Sequence, residues 1–299
     1  MKILITGGAG FIGSHLTDKL VSLGHDVHVF DDLSNGSLMN LEQSMDKIGF
    51  TEYDVTNPIN VNNWKWGKLD MIYHLACFPR SQSFNDPQRC LDVNVKSMIN
   101  MIELARATKA KIIFSSNSGI YDTSKLPITE KSPDNPKTPY DLNKLTSEKY
   151  LKLYNEAYNI PYTIFRFATV YGPRQKTGEN WKPVIIEFIE KLSKGIAPTI
   201  YWDGEQTRDF IYVSDIVDNL LLGGTNYAPK GPIILATGTE TSINQLYKII
   251  SNKLGVSIAP IKGEKALGDI QRMKYINHKY ARISVRMGID KILKEMNII

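Results

Sequence analysis

The sequence predicts an α/β fold, a doubly wound parallel sheet with helices on both faces, followed by a smaller C-terminal α/β domain. Three observations predict it. Short apolar runs alternate with stretches of helical periodicity along most of the chain. The first of those runs turns into a helix through a cluster of glycines. At 299 residues the chain can bury the core of one large or two modest domains.

The first strand is Ile3, Leu4 and Ile5, and from Phe11 the apolar residues fall at helical spacing through Leu16, Leu20 and Val21. Between them Gly7, Gly8, Gly10 and Gly13 fit two overlapping patterns, Gly8-x-Gly10-x-x-Gly13 and Gly7-x-x-Gly10-x-x-Gly13, without the Lys-Ser/Thr pair of a P-loop. Glycine admits positive φ and the close approach of a ligand, and the free N–H groups of a helix start favour an anion. The corner therefore predicts a pyrophosphate cradle. An ordinary tight turn would use the same residues, so the next strand matters. It runs through Val27, Val29 and Phe30 and ends on Asp31 and Asp32. A carboxylate about 20 residues beyond the glycines is where the adenosine ribose of NAD is held, and it repels the 2′-phosphate of NADP. Asp31 thus argues for NAD.

Further strands are predicted at 71–76, 111–116, 162–172 and 232–238, and helices at 94–108, 140–158, 183–194 and 243–254. The proline-rich piece 126–139 reads as an exposed loop leading into a helix. A second loop, "GPRQKTGENWKP", marks where the smaller domain begins. There is no internal repeat and no low-complexity tract. The expected division is a cofactor-binding domain over 1–170, with returns from about 209–240, and a domain mainly for substrate over 171–299.

Composition excludes several classes. With 42% hydrophobic and 22% charged residues the chain is ordinary globular material, and its net charge of +5 is scattered, which speaks against a nucleic-acid groove. No segment approaches ~18 consecutive apolar residues, and the N-terminus enters a strand without a signal-like region. The expectation is a cytoplasmic protein. Cys77 and Cys90 suit a reducing compartment and give no disulfide framework. The histidines His15, His25, His28, His74 and His278 form no zinc pattern, and His25 and His28, three apart on a predicted strand, point to opposite faces. No metal is expected.

The next constellation is Tyr140-Asp-Leu-Asn-Lys144. With Pro139 starting a helix, residues four apart share a face, so phenol and ammonium are neighbours. A nearby cation favours phenolate and lowers the tyrosine pKa toward a range useful for proton transfer. Tyr-x-x-x-Lys alone is common on amphipathic surface helices; after a nucleotide cradle and a strand ending in "SSNSGIY" it reads as an acid/base pair.

With these residues in view, the sequence resembles the extended short-chain dehydrogenase/reductase family, in particular its nucleotide-sugar epimerases of the UDP-glucose/UDP-galactose 4-epimerase type. The resemblance covers nearly the whole chain: GGAGFIG, Asp31, "YDVTN", "IYHLAC", Asn94, "FSSNSGIY", Tyr140 with Lys144, "FRFATVYGPRQ", "PTIYWDGEQTRDFIYVSDIV" and "GTETSINQL". It implies a Rossmann-type first domain binding NAD and a second domain binding a nucleoside-diphosphate sugar, UDP-linked by preference. For the cofactor it implies Gly7, Gly10, Phe11, Ile12 and Gly13, the pair Asp31 and Asp32, and Asp54 and Val55 at the adenine. It also implies Leu75, Ala76 and Cys77 at a strand end, with Asn94, Ser115 and Ala168. Lys144 would bind the nicotinamide ribose and tune Tyr140, which takes a proton from a sugar hydroxyl. For the substrate it implies Thr169, Asn180, Ile200, Tyr201 and Arg208, the last for a phosphate charge. The helices beginning near Asn94 and Tyr140 resemble the family's dimerising four-helix bundle, implying a homodimer.

Three departures from the family pattern stand out. Asn117 occupies the place of a Ser or Thr whose hydroxyl relays protons, so that relay is missing or falls to Ser118 or Ser116; an amide does not relay a proton as a hydroxyl does. Thr169 stands where many relatives have Asn. Ala266 stands where many have a phosphate-gripping Arg, leaving Lys265 or Arg272 to compensate. Dehydratases of the family carry an Asp-Glu pair, and decarboxylases commonly the Glu, at the positions held here by Ser118 and Gly119. Without them the expected chemistry is oxidation and return of the hydride, that is epimerisation, most often at C4. Other sugar-modifying activities of the family are the alternative. A non-catalytic dinucleotide sensor is the alternative from another class; Asn117 favours it, and intact Tyr140 and Lys144 oppose it.

Overall fold

The structure is a computed structural model in which residues 1–61, 64–175, 183–225, 231–264, 271–276 and 281–299 are described. In chain order the elements are β1 (Lys2–Thr6), α1 (Phe11–Ser22), β2 (Asp26–Asp31), β3 (Ile48–Glu52), β4 (Met71–His74), α2 (Pro87–Leu91), α3 (Ser97–Thr108), β5 (Lys111–Asn117), α4 (Pro139–Tyr158) and β6 (Tyr162–Phe167). They continue with β7 (Thr169–Tyr171), α5 (Val184–Ser193), β8 (Thr199–Tyr201), β9 (Thr207–Arg208), β10 (Phe210–Tyr212), α6 (Val213–Gly223), β11 (Ile233–Leu235), β12 (Thr241–Ser242), α7 (Ile243–Leu254), β13 (Ile261–Gly263) and α8 (Val285–Glu295). Short 3-10 turns lie between several of them.

The chain divides into two compact units. The first comprises 1–120, 134–167 and 217–234; the second comprises 121–133, 168–216 and 235–299. The expected break at 170 falls at Phe167/Ala168, the return is shorter than 209–240, and the piece 121–133 goes with the second unit.

In the first unit a seven-stranded sheet has the order β11-β6-β5-β4-β1-β2-β3. Its first six strands pair in parallel, with Ile3 opposite Val27, Ile5 opposite Val29 and Tyr73, and Ile112 opposite Tyr162. β1 and β4, which run in opposite order away from the middle of the sheet, form the switch point at whose carboxyl ends such sheets bind ligands. β4 is buried along its whole length, as parallel strands covered on both faces are. Leu4, Ile72, Met101, Ile102, Ile112 and Phe114 pack in one core cluster.

The predicted run 162–172 is two strands. β6 belongs to the large sheet, and just beyond it Ala168 still donates its N–H to Leu235 O (2.9 Å), at the end of that sheet's β11; from Thr169 the chain pairs as β7 with β10 in a separate two-stranded sheet. The helix predicted from 94 begins at Pro87, because Asp86 accepts from Arg89 N (2.9 Å) and proline sits in the first turn. A π turn over Asp92–Lys96 joins it to α3. His25 precedes β2 rather than lying in it. α8, not among the predicted helices, is capped by Ser284.

Helix α4 starts where Thr138 accepts from Asp141 N (3.1 Å) and ends on Asn159 in the left-handed region. It is fastened to the sheet from inside. Arg166 on β6 places Nε 2.9 Å and Nη2 2.7 Å from the two oxygens of Glu148, and both side chains are buried, at 4% and 7% exposure. Ser116 donates to the same carboxylate, and Arg166 Nη1 reaches Asp134 (2.7 Å). Removing one partner of such a pair leaves an uncompensated buried charge. Arg166→Met should therefore lose about 3–5 kcal/mol of unfolding free energy, read from urea unfolding; an unchanged midpoint would show the pair to be dispensable.

His74, at the end of β4, is fully buried between Thr6 Oγ1 (2.7 Å) and Ser97 Oγ (3.1 Å). Burial, reinforced by the Lys144 charge, pushes its pKa down to about 3. The unfolded chain takes that proton near pH 6.5, so stability should fall as pH drops from about 6.5 toward 3, by up to about 1.4 kcal/mol per pH unit. Unfolding at several pH values should show the slope, and His74→Gln should be flatter over that window.

Candidate active site

The glycine corner is tight in the way a cradle requires. Gly7 has φ 71°, and a Cβ on Gly13 would lie 2.1 Å from Gly7 O, so α1 packs directly against the turn. Gly10 caps the helix without any side-chain cap, leaving the first N–H groups, at half-buried Phe11 and Ile12, for an anion. Asp31 is buried at 6% exposure and accepts from Ala9 N and Leu33 N, both at 2.9 Å. Burial raises its pKa, and those backbone bonds work in the opposite direction. It braces the glycine loop as well as ending β2. A dinucleotide fits these features: an uncapped helix start for the pyrophosphate and a carboxylate at the ribose position.

Arg89, on α2, lies 2.9 Å from Asp54 and 3.5 Å from Asp32. Burial raises the Asp54 pKa, but hydrogen bonds from Thr56 and the Arg89 guanidinium outweigh it and hold the carboxyl below its ordinary value. Val55 is buried and its carbonyl accepts from Asn100 (2.9 Å). Leu75 is buried and bonds Thr6 O, Ala76 N approaches Thr6 Oγ1 (3.3 Å), and Cys77 is exposed. Buried Asn94 accepts from Phe78 N (3.2 Å), which orders the loop after β4.

Lys144 is buried at 1% exposure and donates to Ser115 O (2.9 Å), while Ser115 Oγ donates to His74 O (3.1 Å). The ammonium lies 5.7 Å from the Tyr140 ring centroid and 4.7 Å from that of Phe114. Burial lowers the Lys144 pKa, opposed by Cys77, Cys90 and Glu148. For half-buried Tyr140 the outcome differs from the lowered pKa expected from the sequence. Burial holds the phenol well above its ordinary value, Cys77 and Asp141 add to this, and the cation opposing them is Arg80.

Asn117 donates to Asp141 Oδ1 and its own carbonyl accepts from Gly119 N (3.1 Å). Ser118 is buried and donates to Phe167 O (2.6 Å), and Ser116 is engaged with Glu148. All three candidates for the proton relay thus have structural partners. Asp141, next to Tyr140, is fully buried, and a Cβ on Gly119 would lie 3.1 Å from its Oδ1. A carboxylate therefore reaches the strip that has none at 118 and 119, delivered from α4.

In the second unit Ala168 and Ile200 are buried, Thr169 N donates to Asp209 O (3.0 Å), and Tyr201 is half exposed. Arg208 donates to Thr207 O (2.8 Å). Arg272 forms a two-pronged pair with Glu240, which also accepts from Thr207. Asn180, Lys265 and Ala266 lie outside the described residues.

A family model for NAD dependent epimerases and dehydratases matches residues 3–234. The chain belongs to the NAD dependent epimerase/dehydratase family. It is 35% identical over 284 residues to the UDP-glucose 4-epimerase of Mycolicibacterium smegmatis, across 93% of this chain and 90% of that one. It is 34% identical over 309 residues to UDP-glucuronic acid decarboxylase 1 of Xenopus tropicalis, across 98% and 71%. It also resembles the crystal structure of a UDP-glucose 4-epimerase from Thermotoga maritima with UDP-glucose, with a TM-score of 0.93, 30% identity and 99% of each chain covered.

Arg80, Asp141 and Arg89 escape a reading of the sequence. Arg80 lies in the loop that follows β4 at the switch point, six residues beyond His74, the signal that could have marked it. Asp141 reads as an acidic residue in the first turn of a helix, where it complements the dipole; its pairing with a residue 61 positions away is tertiary.

A carboxylate at the end of the second strand of such a sheet suits a free ribose 2′-hydroxyl better than a 2′-phosphate, and Asp32 adds a second beside Asp31. Calorimetric titration should show NAD binding more tightly than NADP. Asp31→Ala should narrow the gap, chiefly by weakening NAD, since the glycine loop loses its brace at Ala9. NADP preferred by the parent would contradict this.

Proposed function

We propose that the chain is an NAD-dependent nucleotide-sugar epimerase, most directly a 4-epimerase of a UDP-sugar. The observation that carries the reading is Tyr140 one helical turn from buried Lys144, on a helix pinned to β5, in the same unit as the glycine cradle. The named activities of the Mycolicibacterium and Thermotoga relatives, and the UDP-glucose in the latter's structure, support a UDP-sugar.

Gly7, Gly10, Phe11, Ile12 and Gly13 would hold the pyrophosphate and Asp31 the ribose. Asp32, Asp54 and Val55 would flank the adenine. Leu75 to Cys77, Asn94, Ser115 and Ala168 would lie toward the nicotinamide. NAD, when bound, supplies an acceptor that takes a hydride from a sugar carbon and returns it. Once ionised, Tyr140 Oη would take the hydroxyl proton as that carbon becomes a ketone and give it back as the carbon is reduced from the other face; its raised pKa puts that ionised form on the alkaline side. Lys144, held by Ser115 O, keeps a positive charge near the phenol ring. Of the second unit's candidates, Thr169, Ile200, Tyr201, Arg208 and Arg272, the diphosphate falls to Arg208 first, because Glu240 already neutralises Arg272. Exposed Phe84, Leu91 and Leu142 line one open pocket of about 570 Å³ on the α2/α4 face, which supports a homodimer packed there. Two free thiols suit the cytoplasm.

Decarboxylation is the second reading, favoured by the Xenopus relative and by the Asp141 carboxylate beside Gly119. Against it, both Asp141 oxygens are occupied by Arg80, and Asn117 shares one of them.

The test is conversion of UDP-glucose to UDP-galactose, then of other nucleotide sugars, with chromatography for dehydrated and decarboxylated products. Tyr140→Phe should lower turnover about 100-fold or more with little change in substrate affinity. Ser118→Ala should leave turnover near that of the parent, since its hydroxyl is spent on Phe167 O. A decarboxylated product from the parent enzyme would overturn the assignment.

A further inference from the structure

Three residues that a sequence reading leaves unconnected meet at one carboxylate. Asp141 accepts from Arg80 through Nε and Nη2, both at 3.1 Å, and from Asn117 Nδ2. The carboxylate is fully buried, whereas the Arg80 side chain keeps 36% exposure and its Nη1 edge is not part of the fork. Gly119 is required by the same arrangement, since a Cβ there would stand 2.8 Å from the Asn117 amide nitrogen. Asp141 is the neighbour of Tyr140 on α4, Asn117 ends β5, and Arg80 comes from the loop after β4. The carboxylate therefore ties the end of β5 and the loop after β4 to the turn that presents the phenol.

We propose that Arg80 is a positioning residue for Tyr140: its fork on Asp141 fixes the first turn of α4 against the loop after β4 and, through Asn117, the end of β5, and brings its charge to the residue next to the phenol. The inference rests on Tyr140 being the acid/base group. The titratable and charged groups facing that phenol are Cys77 and Arg80 from the loop after β4 and Asp141 and Lys144 from its own helix. Of these, Asp141 opposes ionisation of the phenol and Arg80 favours it. Arg80 and Asp141 thus act on Tyr140 with opposite signs while holding each other in place. In this chain Asn117 serves that cluster, which gives the amide a role in place of the proton relay.

The experiment follows the Tyr140 titration by NMR of 13Cζ-tyrosine-labelled protein with NAD present, assigned with Tyr140→Phe, beside pH profiles of kcat. Asp141→Asn leaves the cation unopposed and should move the Tyr140 titration and the rising limb of the profile to lower pH. Arg80→Met should move both to higher pH, so that turnover at neutral pH falls about tenfold per pH unit of displacement and recovers in alkali. The double variant should lie between them. Arg80→Lys keeps the charge but loses the fork, so its titration should stay near that of the parent while its melting temperature drops. A merely structural Arg80 would lower turnover at every pH without moving the limb. If Arg80→Met fails to fold, Asp141→Asn, the double variant and Arg80→Lys carry the test. Folded variants that all titrate like the parent would overturn the proposal. Titrations that move without turnover of any nucleotide sugar would uphold it and sink the epimerase reading instead.

Discussion

The chemistry of the first unit depends on how one helix is held against the end of one strand. Helix α4 carries both Tyr140 and Lys144, and its hold on the sheet adds buried polar links to the apolar packing of Leu151 against Ile112, Phe114 and Ile164. Arg166, from β6, grips Glu148 with two short bonds in the interior, and Ser116, on β5, joins the same carboxylate. One turn earlier Lys144 threads into the core and donates to the Ser115 carbonyl. A buried ion pair is a weak source of net stability against an apolar alternative, but it tolerates little displacement, because each charge left unmatched is heavily penalised. That intolerance suits a helix whose side chains must be positioned to fractions of an ångström.

Buried carboxylates repeat this logic across the unit. Asp31 takes two backbone N–H groups and so connects the glycine turn to the end of β2. Asp141 takes a guanidinium and an amide, and connects α4 to the loop after β4 and to the end of β5. Glu148 connects α4 to β5 and β6. Each has several acceptor sites, so a single carboxylate can order three segments at once, provided every donor arrives. The second unit does the same with Asp209, which accepts from Thr237 and Gly238, and with Asp215, which accepts from Arg282 N and Ile283 N. Loops are thereby fixed without regular secondary structure.

What was legible in the sequence was what local physics encodes. Gly7 and Gly13 are readable because a strand-to-helix corner demands missing side chains, and Tyr140 with Lys144 because helical spacing places them on one face. The α/β alternation followed from periodicity. Less legible was anything decided by a partner far along the chain. The run from Tyr162 to Gly172 looks like one strand, and only the pairing of Thr169–Tyr171 with β10 shows where it leaves the large sheet. The start of α2 was within reach, since Asp86 and Pro87 form an N-terminal signal. The state of Tyr140 is not legible either: spacing shows that an ammonium is near, but not that burial raises the phenol's pKa and that the cation opposing the rise is Arg80.

The replacement of the expected hydroxyl by Asn117 follows from the same accounting. A hydroxyl at the end of β5 has a single proton to donate and can rotate to serve a substrate. Asn117 instead uses both ends of its amide, Nδ2 on Asp141 and Oδ1 on Gly119 N, and the carboxylate it serves is buried and already forked by Arg80. Placing Asp at 141 brings a charge into the space that Gly119 leaves open, and such a charge requires a cation and a further donor to be tolerable. Asn117 and Arg80 are those two groups. The departure at 117 is thus not an isolated loss of a relay but one corner of a three-residue arrangement, and the charge balance around Tyr140 is what that arrangement changes.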